Sequence, residues 1–188
     1  MRRLLAFCLV AAPVLTACVN QDPAPLFADI TYQVRCVDCS PRAVDDSPHS
    51  VQALDGDSGY KVACSATRPG KDLAITFSAT FIDGKRPSTN HAIKILQADI
   101  ESKTNPGAGC RVVVSEGSNT YEGRCTSGSP TADQPCQVKF KAVANGIVKG
   151  SLLCENIPNK SETSLTRHVV SPGTDKPASF EVDGCTGL

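Results

Sequence analysis

Residues 110–125 read Cys-Arg-Val-Val-Val-Ser-Glu-Gly-Ser-Asn-Thr-Tyr-Glu-Gly-Arg-Cys, two arms rich in β-forming residues on either side of Gly117-Ser118. Glycine in the first position of a two-residue loop is typical of a type II′ hairpin turn. Such a loop places Cys110 opposite Cys125 and gathers the apolar side chains of both arms on one face. The stretch therefore predicts a β-hairpin closed at its base by a Cys110–Cys125 disulfide.

A second hairpin is predicted between Cys136 and Cys154, around Asn145-Gly146. Asn-Gly alone favours a two-residue type I′ turn, but that register would place Cys136 opposite Glu155 and break the apolar alternation. A three-residue Ala144-Asn145-Gly146 loop, with its glycine left-handed in a G1 bulge, restores the alternation. The cross-strand pairs that result are Cys136 with Cys154, Val138 with Leu152, Phe140 with Gly150, and Ala142 with Val148. We therefore expect this register and a Cys136–Cys154 disulfide.

Further strands follow from alternating or β-rich runs at 30–36, 60–64, 73–81, 93–100 and 180–185. Residues 92–101 fit a helix as well as a strand, and no stretch has the apolar spacing and caps of a convincing amphipathic helix. About nine strands separated by turns rich in Gly, Pro and Ser favour sheets over an α/β fold. The predicted fold class is all-β, an antiparallel, disulfide-rich sandwich or barrel-like domain.

The N-terminus has the order of a secretory signal. Arg2 and Arg3 precede an apolar run from Leu4 to Val14 that is too short to cross a bilayer as a helix. The run ends in Leu15-Thr16-Ala17-Cys18, which resembles the lipobox of bacterial lipoproteins, where the cysteine is acylated and exposed by cleavage. The resemblance implies a cleaved signal over 1–17 and a lipid on Cys18. The proline-containing residues 20–28 predict that 18–28 form a tether, and the roughly 160 residues that follow are enough for one domain over 29–188. An ordinary secretory signal with an unrelated cysteine is the alternative.

The residue after the acylated cysteine bears on location. In two-membrane bacteria an aspartate there favours retention at the inner membrane, and Val19 stands at that position here. The resemblance therefore implies the outer membrane, with the domain on its periplasmic face or at the cell surface.

The net charge of the mature chain is slightly negative. Loss of Arg2 and Arg3 lowers the Lys and Arg count from 19 to 17 against 19 Asp and Glu, a net charge of −2. Because the basic residues are scattered and aromatics are few, nucleic-acid binding is not expected.

Four segments follow one another along the chain: Val62-Ala63-Cys64, Leu73-Ala74-Ile75, Ile82-Asp83-Gly84-Lys85-Arg86-Pro87 and Phe180-Glu181-Val182-Asp183-Gly184-Cys185. Their order of strands, Asp-Gly turn and terminal cysteine strand resembles the mycobacterial surface lipoprotein-antigen family. The resemblance implies a lipid anchor, a β-sandwich-like domain and a disulfide between Cys64 and Cys185. It implies no catalytic residue, and the two hairpins and Cys36/Cys39 have no counterpart in that family.

Beyond Cys8 in the signal and Cys18, eight cysteines remain, an even number that fits an oxidising compartment. Cys36 and Cys39 have the spacing of a structural disulfide, a redox pair or half of a zinc site. A thioredoxin-like pair needs a following helix in a βαβ unit, whereas Ser40-Pro41 follows here. Zinc needs two more ligands, and every other cysteine has a candidate partner. A structural role is favoured, either within the pair or with cysteines elsewhere.

Several short motifs match known functional sites, but the surrounding sequence does not support those functions. Gly56-Asp57-Ser58-Gly59 matches the nucleophile segment of trypsin-like proteases, but only His49 and a few acids precede it. Asp55 would begin a calcium loop whose twelfth position is Ala66 rather than glutamate. Asn159-Lys160-Ser161 matches a glycosylation acceptor by chance if the chain is exported by a bacterium. We expect no metal and no cofactor.

These observations predict a non-enzymatic, lipid-anchored module of the cell envelope that binds a ligand, mediates adhesion or assists envelope assembly. Its partners would be the membrane, through the lipid on Cys18, and an unidentified envelope protein or ligand. Two alternatives stay open. One is a thiol-disulfide oxidoreductase that uses Cys36 and Cys39, and the other is a carrier of a small apolar ligand between the sheets.

Overall fold

The computed structural model describes residues 25–36, 49–67, 76–83, 91–101, 106–160, 168–170 and 177–188. Within these ranges the strands are β1 (Phe27–Tyr32), β2 (Val34–Cys36), β3 (His49–Leu54), β4 (Lys61–Thr67), β5 (Thr76–Asp83), β6 (His91–Asp99), β7 (Arg111–Glu116), β8 (Asn119–Arg124), β9 (Cys136–Ala144), β10 (Ile147–Ile157), β11 (His168–Val170) and β12 (Ala178–Asp183). All paired strands run antiparallel, which confirms the predicted fold class. Over the described ranges, no helix has the length and hydropathy needed to cross a bilayer.

The strands form two sheets. In the seven-stranded sheet the order is β2-β11-β10-β12-β1-β3, and β9 also pairs with β10. The five-stranded sheet follows the chain, in the order β4-β5-β6-β7-β8. Because β1 pairs with both β3 and β12, the N-terminal and C-terminal strands of the described chain are neighbours.

The hydrophobic core lies between the two sheets. Alternate residues point inward, as in β4, where Val62, Cys64 and Ala66 are buried and the residues between them are exposed. The same alternation buries Tyr32 of the seven-stranded sheet and Tyr121 of the five-stranded sheet. Each large apolar side chain buried in this way contributes roughly 1.5–3 kcal/mol. The arrangement is that of the predicted sandwich.

The hairpin of β7 and β8 has the predicted register. Val114 faces Tyr121, and Gly117-Ser118 form the two-residue loop. Gly117 has a φ of 61°, the left-handed value that a type II′ turn requires at its first position. The disulfide between Cys110 and Cys125 closes the base of the hairpin. The prediction for this stretch is confirmed.

The hairpin of β9 and β10 departs from the prediction near its turn. From the Cys136–Cys154 pair to the Phe140–Gly150 pair the register is the predicted one. Beyond that point Lys141 has no partner in the register, and Ala142 faces Lys149 rather than Val148. The loop is the two-residue Asn145-Gly146, with φ values of 53° and 79°, a type I′ turn. The predicted three-residue loop is therefore wrong, although its glycine is left-handed as expected.

A β-bulge at Lys141 explains the difference. Beside the loop, the Asn145-Gly146 turn sets the register of the two strands. At the base, the Cys136–Cys154 disulfide sets a register that differs from it by one residue. One extra residue in β9 reconciles the two. The prediction assumes uninterrupted pairing along both arms, and for that reason it places the extra residue in the loop.

The three disulfides between described residues join pairs expected from the sequence: Cys64–Cys185, Cys110–Cys125 and Cys136–Cys154. Cys64–Cys185 is the pair that the family resemblance implies, and because Cys64 belongs to β4 and Cys185 follows β12, it links the two sheets. Cys36 is also disulfide-bonded. Its neighbour Cys39 lies outside the described residues.

The two hairpins meet base to base where the chain crosses from the five-stranded to the seven-stranded sheet. Cys125 and Cys136 form a parallel β-bridge, and the amide of Thr126 donates to the carbonyl of Cys136 at 2.7 Å. The amide of Cys125 also donates to the carbonyl of Cys110 at 3.0 Å. All the cysteines of both hairpins are buried. The crossover is thus held by two neighbouring disulfides.

Strand boundaries differ from the predicted ones in several places. β1 begins at Phe27, inside the segment predicted as a tether over 18–28, and Ala28 is completely buried. The predicted strand over 30–36 is divided at Gln33 into the end of β1 and the whole of β2, which lie apart in the seven-stranded sheet. Residues 92–101, ambiguous in the sequence, lie mostly in strand β6. The sequence does not predict β3, which lies in a polar stretch, or β11, which has only three residues.

We expect Gly150→Ala to destabilise the fold, because Gly150 faces Phe140 on one side and Phe180 on the other. A methyl group there would collide with the Phe180 ring and lie 2.6 Å from the carbonyl oxygen of Lys139. The free energy of unfolding, measured by urea titration, should fall by about 1–3 kcal/mol. Gly128→Ala is the control, since its methyl group meets nothing within 4 Å. Equal effects of the two substitutions would contradict the packing described here.

Candidate functional site

The cysteines predicted as site residues have structural positions wherever the structure describes them. The six that form the three disulfides are all 6% exposed or less. Cys36 lies in β2, is 6% exposed and is disulfide-bonded. Thiol-disulfide exchange needs an accessible sulfur, and these are covered. Cys18 and Cys39 lie outside the described residues, so the lipid site and the Cys-x-x-Cys pair stay predictions.

The cavity between the two sheets is small. It is lined by apolar residues of both, such as Ala28, Phe81 and Phe180, and its volume is about 20 Å³. That is room for about one water molecule. Sites for small organic ligands measure about 300–1,000 Å³. This cavity therefore gives no support to the alternative of an apolar ligand carrier.

An open groove of about 330 Å³ crosses the outer face of the seven-stranded sheet. We call it the polar groove, and most of its lining residues are polar: Asp29, Thr31, Ser50, Gln52, Lys141, Lys149, Gly150, Ser179, Phe180 and Glu181. They come from five adjacent strands, β3, β1, β12, β10 and β9. The volume of the polar groove lies in the range of small-ligand sites.

One row of side chains across the polar groove carries charge. This charged row consists of Gln52, Asp29, Glu181 and Lys149, on four successive strands. Gln52 Nε2 donates to Asp29 Oδ2 at 2.8 Å, and Lys149 Nζ lies 2.8 Å from Glu181 Oε1. Asp29 and Glu181 face one another directly, an arrangement that is unfavourable for two unpaired carboxylates. Each carboxylate is therefore held by the neighbour on its outer side.

A parallel row of hydroxyl groups lies two residues along the same strands. This hydroxyl row consists of Ser50, Thr31 and Ser179, which all line the groove. Ser151 follows them on β10 but is only 6% exposed and lies outside the lining. Thr31 Oγ1 donates to Ser50 Oγ at 3.1 Å. Ser179 is exposed, and its hydroxyl has no hydrogen-bond partner among the described residues. The hydroxyl row therefore offers both donors and acceptors to a ligand.

The β-bulge brings a second ammonium group to the polar groove. Lys141, the residue without a cross-strand partner, is exposed and lines the groove together with Lys149. Within the part of the chain that the structure describes, Lys141 forms no ion pair. A bulge commonly re-aims a side chain in this way.

The formal charges of the described groove lining are balanced. Its charged side chains are two carboxylates, Asp29 and Glu181, and two ammonium groups, Lys141 and Lys149, so that the formal charges cancel. What the groove offers is an array of hydrogen-bonding groups on a rigid sheet.

The segment that matches protease and calcium motifs forms a tight turn between β3 and β4. Asp55 Oδ1 accepts from the amide of Val62 at 2.9 Å, and the amide of Tyr60 donates to the carbonyl of Asp57 at 2.9 Å. Asp55 thereby ties the turn to β4. Across the described ranges, no three His, Cys, Asp or Glu residues are grouped so that they could hold a metal ion.

A second group of charges surrounds Glu122 on β8. Arg111 Nη1 lies 3.3 Å from the Glu122 carboxylate, and the Lys160 ammonium also contacts it. The hydrogen bond from Lys160 is the main cause that lowers the pKa of Glu122; the charges of Lys160 and Arg111 act in the same direction, while burial opposes them. The amide of Lys160 donates to the carbonyl of Thr120 at 2.7 Å. This group fastens the chain after β10 onto β8.

Asn159, the first residue of the glycosylation match, belongs to the same junction. It is 7% exposed, and its Nδ2 donates to Asn119 Oδ1 at 3.0 Å. Its Oδ1 accepts from the amide of Thr120 at 3.4 Å. The amide group is thus used in the fold, which agrees with a chance match to the acceptor motif.

The polar groove is not predictable from the sequence. Its residues come from strands as far apart in the chain as β1 and β12, and each of them resembles an ordinary solvent-facing residue of its own strand. Only the strand order brings them together. The contribution of Lys141 depends further on the bulge, which regular pairing does not reveal.

We expect Glu122→Gln to lower the free energy of unfolding by about 0.5–1 kcal/mol at neutral pH, as is usual for surface ion pairs. Because the pKa of Glu122 is lower in the folded chain, its ionised form stabilises the fold above the unfolded pKa. This contribution is lost as the pH falls through the folded pKa. Urea unfolding at a series of pH values should show the difference from the unsubstituted chain disappear in acid.

The matched control is Glu155→Gln, which removes an exposed carboxylate that forms no ion pair among the described residues. It should leave the free energy of unfolding unchanged at neutral pH. A deficit of Glu122→Gln that stays constant into acid would refute the ionic explanation.

The chain matches no protein-family model, no curated protein and no solved structure.

Proposed function

We propose that this protein is a lipid-anchored, non-enzymatic binding module of the bacterial cell envelope, and that the polar groove is its binding surface. The observation that carries the proposal is the groove, an open concavity that takes polar side chains from five paired strands. The backbone of paired strands is ordered before a ligand binds, so little backbone entropy is lost on binding. A preformed array of this kind is suited to recognition.

The N-terminal sequence supports the anchor. Phe27, where β1 begins, follows Cys18 by nine residues. A chain of that length spans at most about 30 Å, even when fully extended. A lipid on Cys18 would therefore keep the domain, and with it the polar groove, close to the membrane. Val19 favours the outer membrane as the site of that anchor.

The two alternatives receive less support from the described residues. An oxidoreductase would need an accessible sulfur atom, whereas Cys36 is only 6% exposed. A carrier of an apolar ligand would need more room between the sheets than the cavity of about 20 Å³ provides. Binding on the outer face avoids both difficulties.

The anchor is tested by metabolic labelling with radioactive palmitate in a bacterial host. We expect the full-length chain to be labelled and Cys18→Ser to carry no label, because acylation of Cys18 is the source of the lipid. Mass spectrometry of the mature N-terminus should find residue 18 first in the unsubstituted protein.

Cys8→Ser is the control for the loss of a cysteine. Cys8 lies in the signal and should be removed by cleavage, so labelling should persist. A labelled Cys18→Ser protein, or an unlabelled wild type, would rule out the anchor.

The role of the polar groove is tested by co-sedimentation of the purified, lipidated protein with washed envelope fractions in detergent. We expect Glu181→Lys to weaken binding by about tenfold or more, since it removes the partner of Lys149 and makes the groove positively charged. The binding curve of each protein against envelope concentration gives the comparison.

Glu155→Lys makes the same change of charge at an exposed position five residues beyond Gly150 on β10, outside the groove lining. It should bind as the wild type does. Circular dichroism should show that both variants fold. The proposal would be abandoned if the wild type did not sediment with any fraction, or if Glu181→Lys sedimented equally well.

A further inference from the structure

We propose that the ligand of the polar groove is an uncharged, polyhydroxylated molecule, a saccharide of the cell envelope, held by hydrogen bonds. This inference rests on the proposed binding role of the groove and adds the chemical class of its ligand. Charge balance, the distribution of donors and acceptors, and the spacing of the two rows each point to that class.

Charge balance argues against an ionic ligand. The two carboxylates of the groove, Asp29 and Glu181, are matched by the ammonium groups of Lys141 and Lys149. A polyanion or a polycation would therefore meet as much repulsion as attraction. An apolar ligand would strip water from these groups without replacing their hydrogen bonds. A neutral but strongly hydrogen-bonding ligand avoids both costs.

The centre of the charged row presents acceptors. Asp29 receives a hydrogen bond from Gln52 and Glu181 receives one from Lys149, each at 2.8 Å. A carboxylate has about four lone-pair positions, so both retain the capacity to accept more. Because they face one another across β1 and β12, they present these acceptors side by side. Adjacent hydroxyl groups of a sugar ring are the matching donors.

The hydroxyl row adds groups that can both donate and accept hydrogen bonds. A serine or threonine hydroxyl donates one hydrogen bond and accepts up to two. Ser179 has no partner among the described residues, and Thr31 uses its proton on Ser50 but can still accept. The ammonium group of Lys141 adds donors at the β9 end of the groove. A sugar, whose hydroxyls also donate and accept, can satisfy all of them.

The spacing of the rows suits a molecule with polar groups along its length. Neighbouring strands lie about 4.8 Å apart, and side chains two residues apart on a strand are separated by about 6.8 Å. The charged row spans four strands and the hydroxyl row three, so that together they form a grid of hydrogen-bonding groups in an open groove of about 330 Å³. An oligosaccharide lying across the strands presents a hydroxyl group at each step.

Aromatic stacking contributes little in this site. Phe180 is the aromatic residue of the lining, and it is only 6% exposed. Recognition therefore depends on hydrogen bonds that compete with water, which makes each contact weak. We expect a low affinity for a single oligosaccharide, and function through a long or densely packed glycan.

The test is isothermal titration calorimetry of the full lipidated chain, in a detergent without a sugar headgroup and with a metal chelator present. The probes are four tetrasaccharides: the neutral oligomers of N-acetylglucosamine, glucose and mannose, and the anionic oligomer of galacturonic acid. We expect at least one neutral oligomer to bind and the anionic one to bind more weakly.

The double variant Thr31→Val with Ser179→Ala removes two hydroxyl groups of the hydroxyl row and should weaken binding by about tenfold or more. The matched control, Ser127→Ala with Ser129→Ala, removes two exposed hydroxyls from the loop after β8 and should bind as the wild type does. No binding by any neutral oligomer, preference for the anionic one, or equal binding by the groove variant would each overturn the inference.

The failure of this inference and that of the proposed function are distinguishable. If Glu181→Lys loses envelope binding while no neutral oligomer binds, the groove is a binding surface and only the ligand class is wrong. If the wild type binds neither envelope nor oligomer, both proposals are wrong.

Discussion

The pair of disulfides at the crossover between the sheets is the constraint on which the rest of the structure depends. They close hairpins of 15 and 18 residues, and the entropy that each removes from the unfolded chain stabilises the fold by about 3 kcal/mol. Because the backbones of Cys125 and Cys136 also form a β-bridge, the hairpin of one sheet is fixed to the hairpin of the other. A sequence without Trp and with few other aromatics benefits from such links.

The same constraint shapes the polar groove. The Cys136–Cys154 disulfide sets the register at the base of the hairpin, the Asn145-Gly146 turn sets it at the tip, and the two differ by one residue. The bulge that results leaves Lys141 on the outer face, beside the charged row. It also interrupts the edge strand β9, where Lys141 is exposed and discourages pairing with another chain. A covalent bond in the core thus influences the chemistry of the opposite face.

Local rules predicted much of this fold. The turn at Gly117-Ser118, both hairpin disulfides and the all-β class follow from residue types and their spacing along the chain. The rules failed where two local preferences conflict, as at Lys141, and where a strand is too short for its alternation to be recognised, as in β11. They could not predict the polar groove, because its chemistry arises from the lateral order of β3, β1, β12, β10 and β9, which no single segment contains.

The disulfide between Cys64 and Cys185 spans 121 residues and encloses both hairpin disulfides. Closure of a loop costs more entropy as the loop lengthens, so the hairpin pairs have the advantage during oxidation. A chain that emerges N-terminus first, however, exposes Cys64 and then Cys110 long before Cys185 is present. An oxidant that joins cysteines in order of appearance would couple those two and leave Cys125 without its partner. We therefore expect maturation to need a disulfide isomerase, which reshuffles wrong pairs, in addition to an oxidant.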